Sequence, residues 1–239
     1  MTNKSAPSSS SRSDQTRQQL INAALEVFAE YGPHSATTRD IARRAGQNIA
    51  AIAYHFQSKE GLYLAAAGWI ADYIGQTYRP LVTEVDAFMR LAPQRQPPEQ
   101  LMDYIRRAIL TFSRLMTRTE TLNLSRIIFR EQLSPTDAYP IIHRQVIEPM
   151  HRLLTTLIAR YTGMDPNHPK VIVHTHALIG EAFSFRAARE TIRWRAGWKE
   201  IGNEETTLIQ QVLMEHLDIL LNGLRDNHTR QIQESLRDE

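Results

Sequence analysis

The apolar residues of this chain recur at helical spacing along most of its length, and this pattern limits the folds it can adopt. The 10 glycines and 11 prolines are few and cluster between the periodic runs, where they punctuate helices. The sequence therefore predicts an all-α fold. With 239 residues and 42% hydrophobic content, the chain can bury a core in one large or two modest domains.

Composition excludes several classes of function. The absence of cysteine excludes disulfides, thiolate zinc sites and cysteine nucleophiles. No run of about 18 consecutive apolar residues occurs, and the opening MTNKSAPSSSSRSD lacks the apolar segment of a secretory signal. These features predict a cytoplasmic protein that does not span a membrane. The formal net charge of +2 is too small to identify a polyanionic partner by itself.

Four segments differ in character along the chain. Residues 1–12 are rich in serine and predict a disordered lead. Residues 13–62 contain three short helical patterns, and residues 63–225 contain the longer ones. Residues 226–239 are polar and predict a flexible tail. No internal repeat occurs, so the larger segment reads as one helical bundle.

The first three helices have recognisable ends. Helix 1 is predicted from Asp14 to Gly32, helix 2 from Thr37 or Thr38 to Gly46, and helix 3 from Asn48 to Phe56. Ser58 caps a long fourth helix. Further helices are predicted at 99–117, 121–132, 136–161, 168–192 and 205–224, with Pro140 and Pro149 interrupting the third of these.

The turn at Gly46 joins two short helices and fits a helix-turn-helix, whose second helix enters the major groove of DNA. Ile52 and Phe56 are four residues apart and should face the protein interior. The other faces of helix 3 then carry groups that suit a DNA groove: Gln47, Asn48, Ala50, Ala51, Tyr54 and His55. Arg39, Arg43, Arg44 and Lys59 stand against Asp40 alone in residues 37–59, which forms a basic patch.

The run TTRDIARRAGQNIAAIAYHFQSKEGL resembles the DNA-binding signature of TetR-family transcriptional regulators. In that signature, T-x-R-x-I-A-x-x-A-G-V-S precedes an aromatic-rich end and S-K-E-x-L, and the match covers about residues 14–65. The runs NLSRIIFREQLSPTDAY and HTHALIGEAFSFR are similar to the CecR branch of the family. The resemblance implies an all-α homodimer, with an N-terminal DNA-binding domain and a C-terminal domain for pairing and effector binding.

The resemblance also assigns roles to individual positions. Thr38 and Lys59 match phosphate-contacting positions, and Arg39 matches one that reaches a base. Positions of the recognition helix that face the groove are matched by Ile49, Ala50, Tyr54 and His55. The alternative to DNA contact is that Arg43 and Arg44 only face water on helix 2, and that the Tyr54 hydroxyl donates a hydrogen bond to the protein backbone.

This sequence departs from the family pattern at three places. Gln47-Asn48 stands where Val-Ser is usual, Ala51 replaces a frequent threonine, and Ala53 replaces a common tyrosine. We expect these changes to shift phosphate anchoring toward Tyr54 and Lys59.

The predicted function is that of a repressor that a small-molecule effector releases from a near-palindromic DNA operator. The effector is expected to be small and apolar or amphipathic. The candidate pocket residues are Trp69, Phe112, Met116, Asn123, Ile128, Phe129, His143 and Glu181, with Arg130 and Arg186 as further polar candidates. The apolar residues among them could equally be ordinary core. Glu181 and Arg186 could instead belong to a polar network at the dimer interface.

The last two long runs carry apolar stripes that predict a dimer interface between subunits. The stripes are Leu178, Ala182 and Phe185 in the first, and Leu213, Leu217, Leu220 and Leu224 in the second. The alternative is that both stripes face the core of their own subunit.

Metal binding and catalysis are weaker hypotheses. The histidines of the second half, His143, His151, His174, His176 and His216, are not joined by further ligands at metal spacing, so no metal or cofactor is predicted. No G-x-S-x-G, H-E-x-x-H, phosphate-loop or dinucleotide motif occurs. The rivals that remain are a helical hydrolase or isomerase that uses His143 or Glu181, and an adaptor that binds only protein.

Overall fold

The computed structural model describes residues 9–237 of the chain, with side chains from residue 12. Helices and no strand occur among these residues, so the predicted all-α fold is confirmed. Of the predicted disordered lead, residues 1–8 lie outside the described residues, whereas residues 9–12 are helical. Across residues 9–237, no helix has the length and apolar character needed to cross a membrane.

Eleven α-helices are labelled in chain order. Their bounds are α1 Ser9–Ser35, α2 Thr38–Ala45, α3 Ala50–Phe56, α4 Lys59–Met89, α5 Pro98–Thr117, α6 Leu122–Leu133, α7 Tyr139–Ile142, α8 Glu148–Thr162, α9 Pro169–Ala187, α10 Arg189–Arg195 and α11 Asn203–Ser235. Short 3₁₀ turns precede α5 and α6 at Pro93–Arg95 and Thr119–Thr121, and a π-helical segment, His143–Ile147, separates α7 from α8.

The chain divides into two compact units. The first unit contains α1 to α3, the part of α4 up to Tyr73, and residues 122–145 with α6 and α7. The second unit contains the rest of α4 from Ile74, together with α5 and α8 to α11. Each unit has its own buried apolar residues.

The core of the first unit forms where α2, α3 and α6 pack against α1. The face of α1 that the periodicity predicts to be apolar is buried, and Leu20 and Phe28 are wholly inaccessible. Ile41 from α2 and Ile52 from α3 complete this core. Burying a side chain of this size contributes about 1.5–3 kcal/mol, so these residues hold the short helices in place.

Several helix boundaries differ from the predicted ones. Gly32 interrupts α1 as expected, but its φ of 80° and ψ of 168° are an extended glycine conformation and not a left-handed cap. The predicted helix 168–192 breaks at Ala188. The predicted end at 224 is also wrong, because α11 continues to Ser235 through the segment expected to be a flexible tail.

The prolines at 140 and 149 do interrupt the predicted 136–161 helix. Each lies near the start of a helix, Pro140 in α7 and Pro149 in α8, and the π-helical segment lies between those helices. A proline near a helix start has no hydrogen bond to lose, which explains why the run divides at these points.

The second unit forms where α5, α8, α9 and α11 pack together. Its core includes most of the residues predicted to form the dimer interface: Leu178, Ala182, Leu213 and Leu217 are at most 6% exposed. These four residues have almost no free surface within their own subunit, which favours the alternative that their stripes face the subunit core. The dimer interface itself stays a prediction. Phe185 is half-buried against the same core, and Leu220 is 37% exposed.

Candidate nucleic-acid interface

The helix-turn-helix of the first unit begins with a capped α2. The Thr37 hydroxyl accepts a hydrogen bond from the Asp40 N–H at 3.1 Å, so Thr37 is the N-cap and Thr38 is the first helical residue. At the other end, Gly46 adopts a left-handed conformation with φ of 64°, and its N–H caps the last carbonyls of α2. The hydroxyl of Thr38 is therefore not needed for the cap.

The helix α3 follows after a short turn, and only one of its sides packs against the rest of the first unit. The Asn48 side chain accepts a hydrogen bond from the Ala50 N–H at 2.9 Å, which caps the start of α3. Ile52 and Phe56 are buried as predicted, and the Arg17 guanidinium lies 5.3 Å from the centre of the Phe56 ring. A cation in this position is attracted to the ring face.

The opposite side of α3 is open to solvent. Tyr54 is 80% exposed, and its ring meets that of His55 edge to face with 4.9 Å between centroids. All eleven predicted DNA-contacting residues lie in α2, α3, the turn between them and the first residue of α4, and none is buried. They are Thr38, Arg39, Arg43, Gln47, Asn48, Ile49, Ala50, Ala51, Tyr54, His55 and Lys59.

The basic patch is partly neutralised by nearby acids. Arg43 pairs with Asp40 at 2.8 Å, although its side chain remains 76% exposed. Arg44 forms ion pairs with Glu26 and Glu30 of α1 at 3.4 and 3.5 Å, and these pairs link α2 to α1. Exposed pairs of this kind contribute about 0–1 kcal/mol and are easily exchanged for phosphate. Within the described residues, Arg39 is exposed and has no ion-pair partner.

Lys59 has a structural role that the sequence did not reveal. Its ammonium donates to the carbonyl oxygens of His34 and Ala36, both at 3.2 Å. An ammonium carries three N–H donors, so one is left for a phosphate oxygen. Lys59 therefore fixes the end of α1 against the start of α4 and still presents a charge beside α3.

The turn from α3 to α4 is sterically tight. Gln57 has φ of 68° and ψ of −45°, and the Ser58 N–H donates to the Phe56 carbonyl at 2.8 Å, which closes a γ-turn. The Ser58 hydroxyl accepts from the Gly61 N–H at 3.0 Å and caps α4, as predicted. A Cβ on Gly61 would lie 2.1 Å from the Phe56 carbonyl oxygen, so only glycine fits this turn.

Two adjacent residues of α6 attach that helix to α1 and α4. The Arg130 Nη1 donates to the Phe28 carbonyl at 2.6 Å. Glu131 is wholly buried and accepts hydrogen bonds from the Tyr63 hydroxyl at 2.7 Å and from the Thr136 N–H at 2.9 Å. Burial and the Glu131 carboxylate raise the pKa of Tyr63 above its ordinary value. The helix α6 is thus fixed to α1 and α4, which also frame the helix-turn-helix.

The residues predicted to line an effector pocket fall in both units. Trp69, which stacks on Tyr73 with centroids 5.5 Å apart, belongs to the first unit. The first unit also contains Asn123, Ile128, Phe129 and His143, and the second contains Phe112, Met116 and Glu181. Apart from Met116, which is buried, these side chains are half-buried.

Glu181 makes a contact that the sequence did not predict. Its carboxylate bonds to the Nδ1 of His216, which joins α9 to α11, and this bond raises the pKa of His216. Glu181 therefore bridges two helices near the surface of the second unit. Across the described part of the chain, no three His, Asp or Glu side chains are grouped so that they could hold a metal ion.

The fold and the exposed α3 define a helix-turn-helix regulator. The tetR family of bacterial regulatory proteins matches residues 20–66, and the C-terminal domain of the HTH-type transcriptional dual regulator CecR matches residues 97–224. The HTH-type transcriptional dual regulator CecR of Shigella flexneri is 51% identical over 219 residues, covering 91% of this chain and 96% of that protein. The chain belongs to the TetR family of transcriptional regulators and has the CecR-type C-terminal domain.

Other similar proteins either match a smaller part of the chain or share only its fold. The regulator BetI of Serratia proteamaculans is 40% identical over 63 residues, covering 26% of this chain and 32% of BetI. AibR, whose structure contains isovaleryl coenzyme A and operator DNA, shares the fold with a TM-score of 0.60 at 14% identity, covering 83% of this chain and 96% of AibR. The hemolysin II regulator HlyIIR has a TM-score of 0.56 at 17% identity, covering 84% of this chain and 98% of HlyIIR.

These findings confirm the family that the sequence motif indicated. The sequence motif indicates a DNA-binding segment at about residues 14–65, and the family match covers nearly the same segment, residues 20–66. The resemblance to the CecR branch is confirmed over the larger helical part. The relatives and families described here are transcriptional regulators and not enzymes.

Proposed function

We propose that this protein is a cytoplasmic repressor that binds a near-palindromic DNA operator as a homodimer and leaves it when a small effector binds. The observation that carries the proposal is α3, which is anchored by Ile52 and Phe56 and presents an 80% exposed Tyr54 to solvent. Exposed cations of the same helix-turn-helix, Arg39 and Arg43, accompany this tyrosine, and the combination suits contact with DNA. The name of the CecR relative, a dual regulator, extends the proposal to activation at some promoters.

The operator should be symmetric because the binding protein is proposed to be a dimer. Two recognition helices can enter successive major grooves only when they lie about 34–36 Å apart, or a multiple of that distance. An effector that favours another separation lowers operator affinity, and its effect cannot exceed its differential affinity for the two states.

Selection of binding sites from random DNA at low salt tests this function, with the wild-type protein and Tyr54→Ala compared. We expect the wild type to enrich a near-palindrome and Tyr54→Ala to bind it about tenfold more weakly, since a hydrogen bond from the Tyr54 hydroxyl to a charged phosphate is worth about 1.5–3 kcal/mol. Tyr31→Ala is the matched control, because Tyr31 is also exposed, at 51%, but lies on α1. The proposal fails if the wild type enriches no palindrome.

Single substitutions distinguish residues that read bases from residues that bind phosphate. In this proposal Arg39 and His55 contribute to sequence preference, and Thr38 and Lys59 bind phosphate. Loss of one phosphate contact flattens the slope of log affinity against log salt by about one unit. Because Lys59 also bonds to the carbonyl oxygens of His34 and Ala36, its phosphate role is measured by this slope and not by affinity alone.

The dimer surface in this proposal is the exposed side of α9 and α11 in the second unit. Large apolar residues with 37–74% exposure lie on these two helices: Ile172, Val173, Leu208, Ile219 and Leu220. Their neighbours Leu213 and Leu217 hold the same helices in the core of the subunit. Pairing through this side would bury the exposed apolar area in a four-helix arrangement.

Ile219→Glu should therefore convert a dimer into a folded monomer. Ile219 is 74% exposed, so its substitution leaves the subunit core intact while placing a charge in the proposed interface. Molar mass from light scattering after gel filtration measures the change, and circular dichroism checks the fold. Leu133→Glu on α6 is the control, because Leu133 is 83% exposed and lies in the first unit. A dimeric Ile219→Glu variant would show that the subunits pair elsewhere.

The effector is proposed to bind in the second unit, between α5 and α9. Phe112 of α5 and Phe185 of α9 are half-buried and pack against the core cluster of Ala182, Ile201, Ile209 and Leu213. Half-buried aromatic side chains can move without opening a fully packed core, so they suit the wall of a ligand site. The pocket residues predicted in the first unit, of which Trp69 is the largest, stay a prediction.

A further inference from the structure

Arg186, in the last turn of α9, is a buried cation with unusual partners. It is 6% exposed, and its Nη2 donates to the carbonyl oxygens of Leu115 at 2.8 Å and Arg118 at 2.7 Å. The same nitrogen donates to the Thr121 hydroxyl at 2.9 Å. All three acceptors are neutral groups at the end of α5 and in the turn that follows it.

The rest of the guanidinium has no partner. Nε and Nη1 are both buried and make no hydrogen bond. These two nitrogens carry three of the five N–H donors of an arginine. Among the described residues, no carboxylate lies within ion-pair distance of Arg186. Buried arginines are normally paired, and burial lowers the pKa of this one only to about 10, so it stays charged at neutral pH.

Arg186 is not required to satisfy the carbonyl groups that it contacts. The Thr121 hydroxyl already donates to the Leu115 and Arg118 carbonyls, at 2.5 and 2.9 Å. A second cation, Arg189, reaches the neighbouring Thr117 carbonyl at 2.7 Å. The end of a helix carries only about half a negative charge, which cannot neutralise two guanidinium groups. The site therefore has an excess of positive charge that the protein does not balance.

We propose that Arg186 binds the carboxylate of the effector, which is a monocarboxylate with an apolar body. The inference rests on the proposed function, because it assigns a chemical class to the effector of that same site. One carboxylate can accept two parallel bonds from a guanidinium, which suits an arginine with three unused N–H donors. Phe112 and Phe185 suit the apolar body, because both pack against the core cluster that contains Ala182, and Ala182 lies one turn before Arg186 on α9.

The position of Arg186 also links the carboxylate to α6. Its three acceptors lie in residues 115–121, and Thr121 is followed directly by Leu122, the first residue of α6. A carboxylate that accepts two parallel bonds from the guanidinium uses Nη2 together with Nε or Nη1. It therefore competes with these neutral acceptors for Nη2, because its own charge adds to that of the donor. Binding would thus loosen the segment that leads into α6, the helix fixed to α1 and α4 by Arg130 and Glu131.

Calorimetric titration of the full-length protein tests the proposal with matched pairs of ligands. The probes are octanoate, phenylacetate and 4-phenylbutyrate, each compared with its neutral amide. We expect at least one carboxylate to bind ten times more tightly than its amide, and Arg186→Gln to remove this difference. Arg195→Gln is the control, because Arg195 is an exposed arginine on the neighbouring α10.

Two results overturn the proposal: no carboxylate is preferred over its amide, or Arg186→Gln binds the carboxylates as the wild type does. If circular dichroism shows that Arg186→Gln does not fold, Arg186→Lys replaces it, with an expected loss of at least fivefold because lysine cannot reproduce the donor geometry. Operator binding is measured on the same samples by fluorescence anisotropy. A protein that binds its operator but no carboxylate contradicts this inference alone, whereas one that binds a carboxylate but no operator contradicts the proposed function.

Discussion

Replacing Gly61 by alanine should lower the melting temperature by about 6–12 °C and abolish operator binding. An alanine Cβ would lie 2.1 Å from the Phe56 carbonyl oxygen, so the turn between α3 and α4 must open. Forcing a side chain into a backbone contact of this kind costs about 3 kcal/mol, and each kcal/mol lowers the melting temperature of a chain of this size by about 2–4 °C. Opening the turn displaces the end of α3, which carries Tyr54 and His55.

Gly68→Ala is the matched control for this prediction. Gly68 lies on the same helix, and a Cβ there meets no atom within 4 Å. Alanine is the better helix former, so this variant should be more stable than the wild type by about 0.5–1 kcal/mol. Thermal unfolding followed by circular dichroism and anisotropy with labelled operator DNA measure both variants. If Gly61→Ala melts and binds as Gly68→Ala does, the steric account of the turn is wrong.

The requirement for glycine at position 61 could not be derived from the local sequence. A glycine two residues inside a helix reads as a weak helix former, and the S-K-E-G-L run shows only that this segment resembles the family signature. The reason is the γ-turn at Gln57, which directs the Phe56 carbonyl toward α4. That direction depends on three-dimensional placement, which no pattern of residue types specifies.

The helix-turn-helix was predictable because its determinants are local. Ile52 and Phe56 recur at helical spacing and are buried, and Gly46 takes the left-handed conformation that the turn requires. Ser58 caps α4 through the Gly61 N–H, as its position before the helix indicated. In each case the physical cause lies within a few residues of the position, so the sequence contains the needed information.

Predictions that depended on long-range packing were less successful. An apolar stripe such as Leu213 and Leu217 indicates that a helix face is buried, but it does not say whether its own subunit or a partner covers it. The structure shows that the subunit core covers both residues. In the same way, the candidate pocket residues are separated by up to 112 positions in sequence, from 69 to 181, and the fold places them in two units.

The attachment of α6 to the helices around the DNA-binding motif is another long-range feature. Arg130 and Phe28 are 102 positions apart, and Tyr63 and Glu131 are 68 positions apart. From sequence, Arg130 was a candidate pocket residue and Glu131 carried no assignment. A buried carboxylate that accepts bonds from two other segments is costly to disturb, which makes Glu131 the most informative position for a test of this attachment.

Glu131→Ala should lower the free energy of unfolding by about 3 kcal/mol, because it leaves the buried Tyr63 hydroxyl and the half-buried donors of Thr136 without an acceptor. The melting temperature should fall by about 6–12 °C. Gln132→Ala is the control, since Gln132 is the next residue of α6 and is exposed. Its melting temperature should stay within about 2 °C of the wild type, as expected for a surface substitution.

A double-mutant cycle separates the Tyr63 bond from the rest of this effect. Tyr63→Phe removes only the hydroxyl that donates to Glu131 at 2.7 Å, and alone it should cost about 1–2 kcal/mol. Once Glu131 is alanine, the same change should cost much less, because the hydroxyl has already lost its buried acceptor. Denaturant unfolding of the four proteins gives the coupling free energy, which we expect to exceed about 1 kcal/mol. Additive effects would mean that Tyr63 and Glu131 stabilise the first unit independently and that their hydrogen bond does not join α4 to α6.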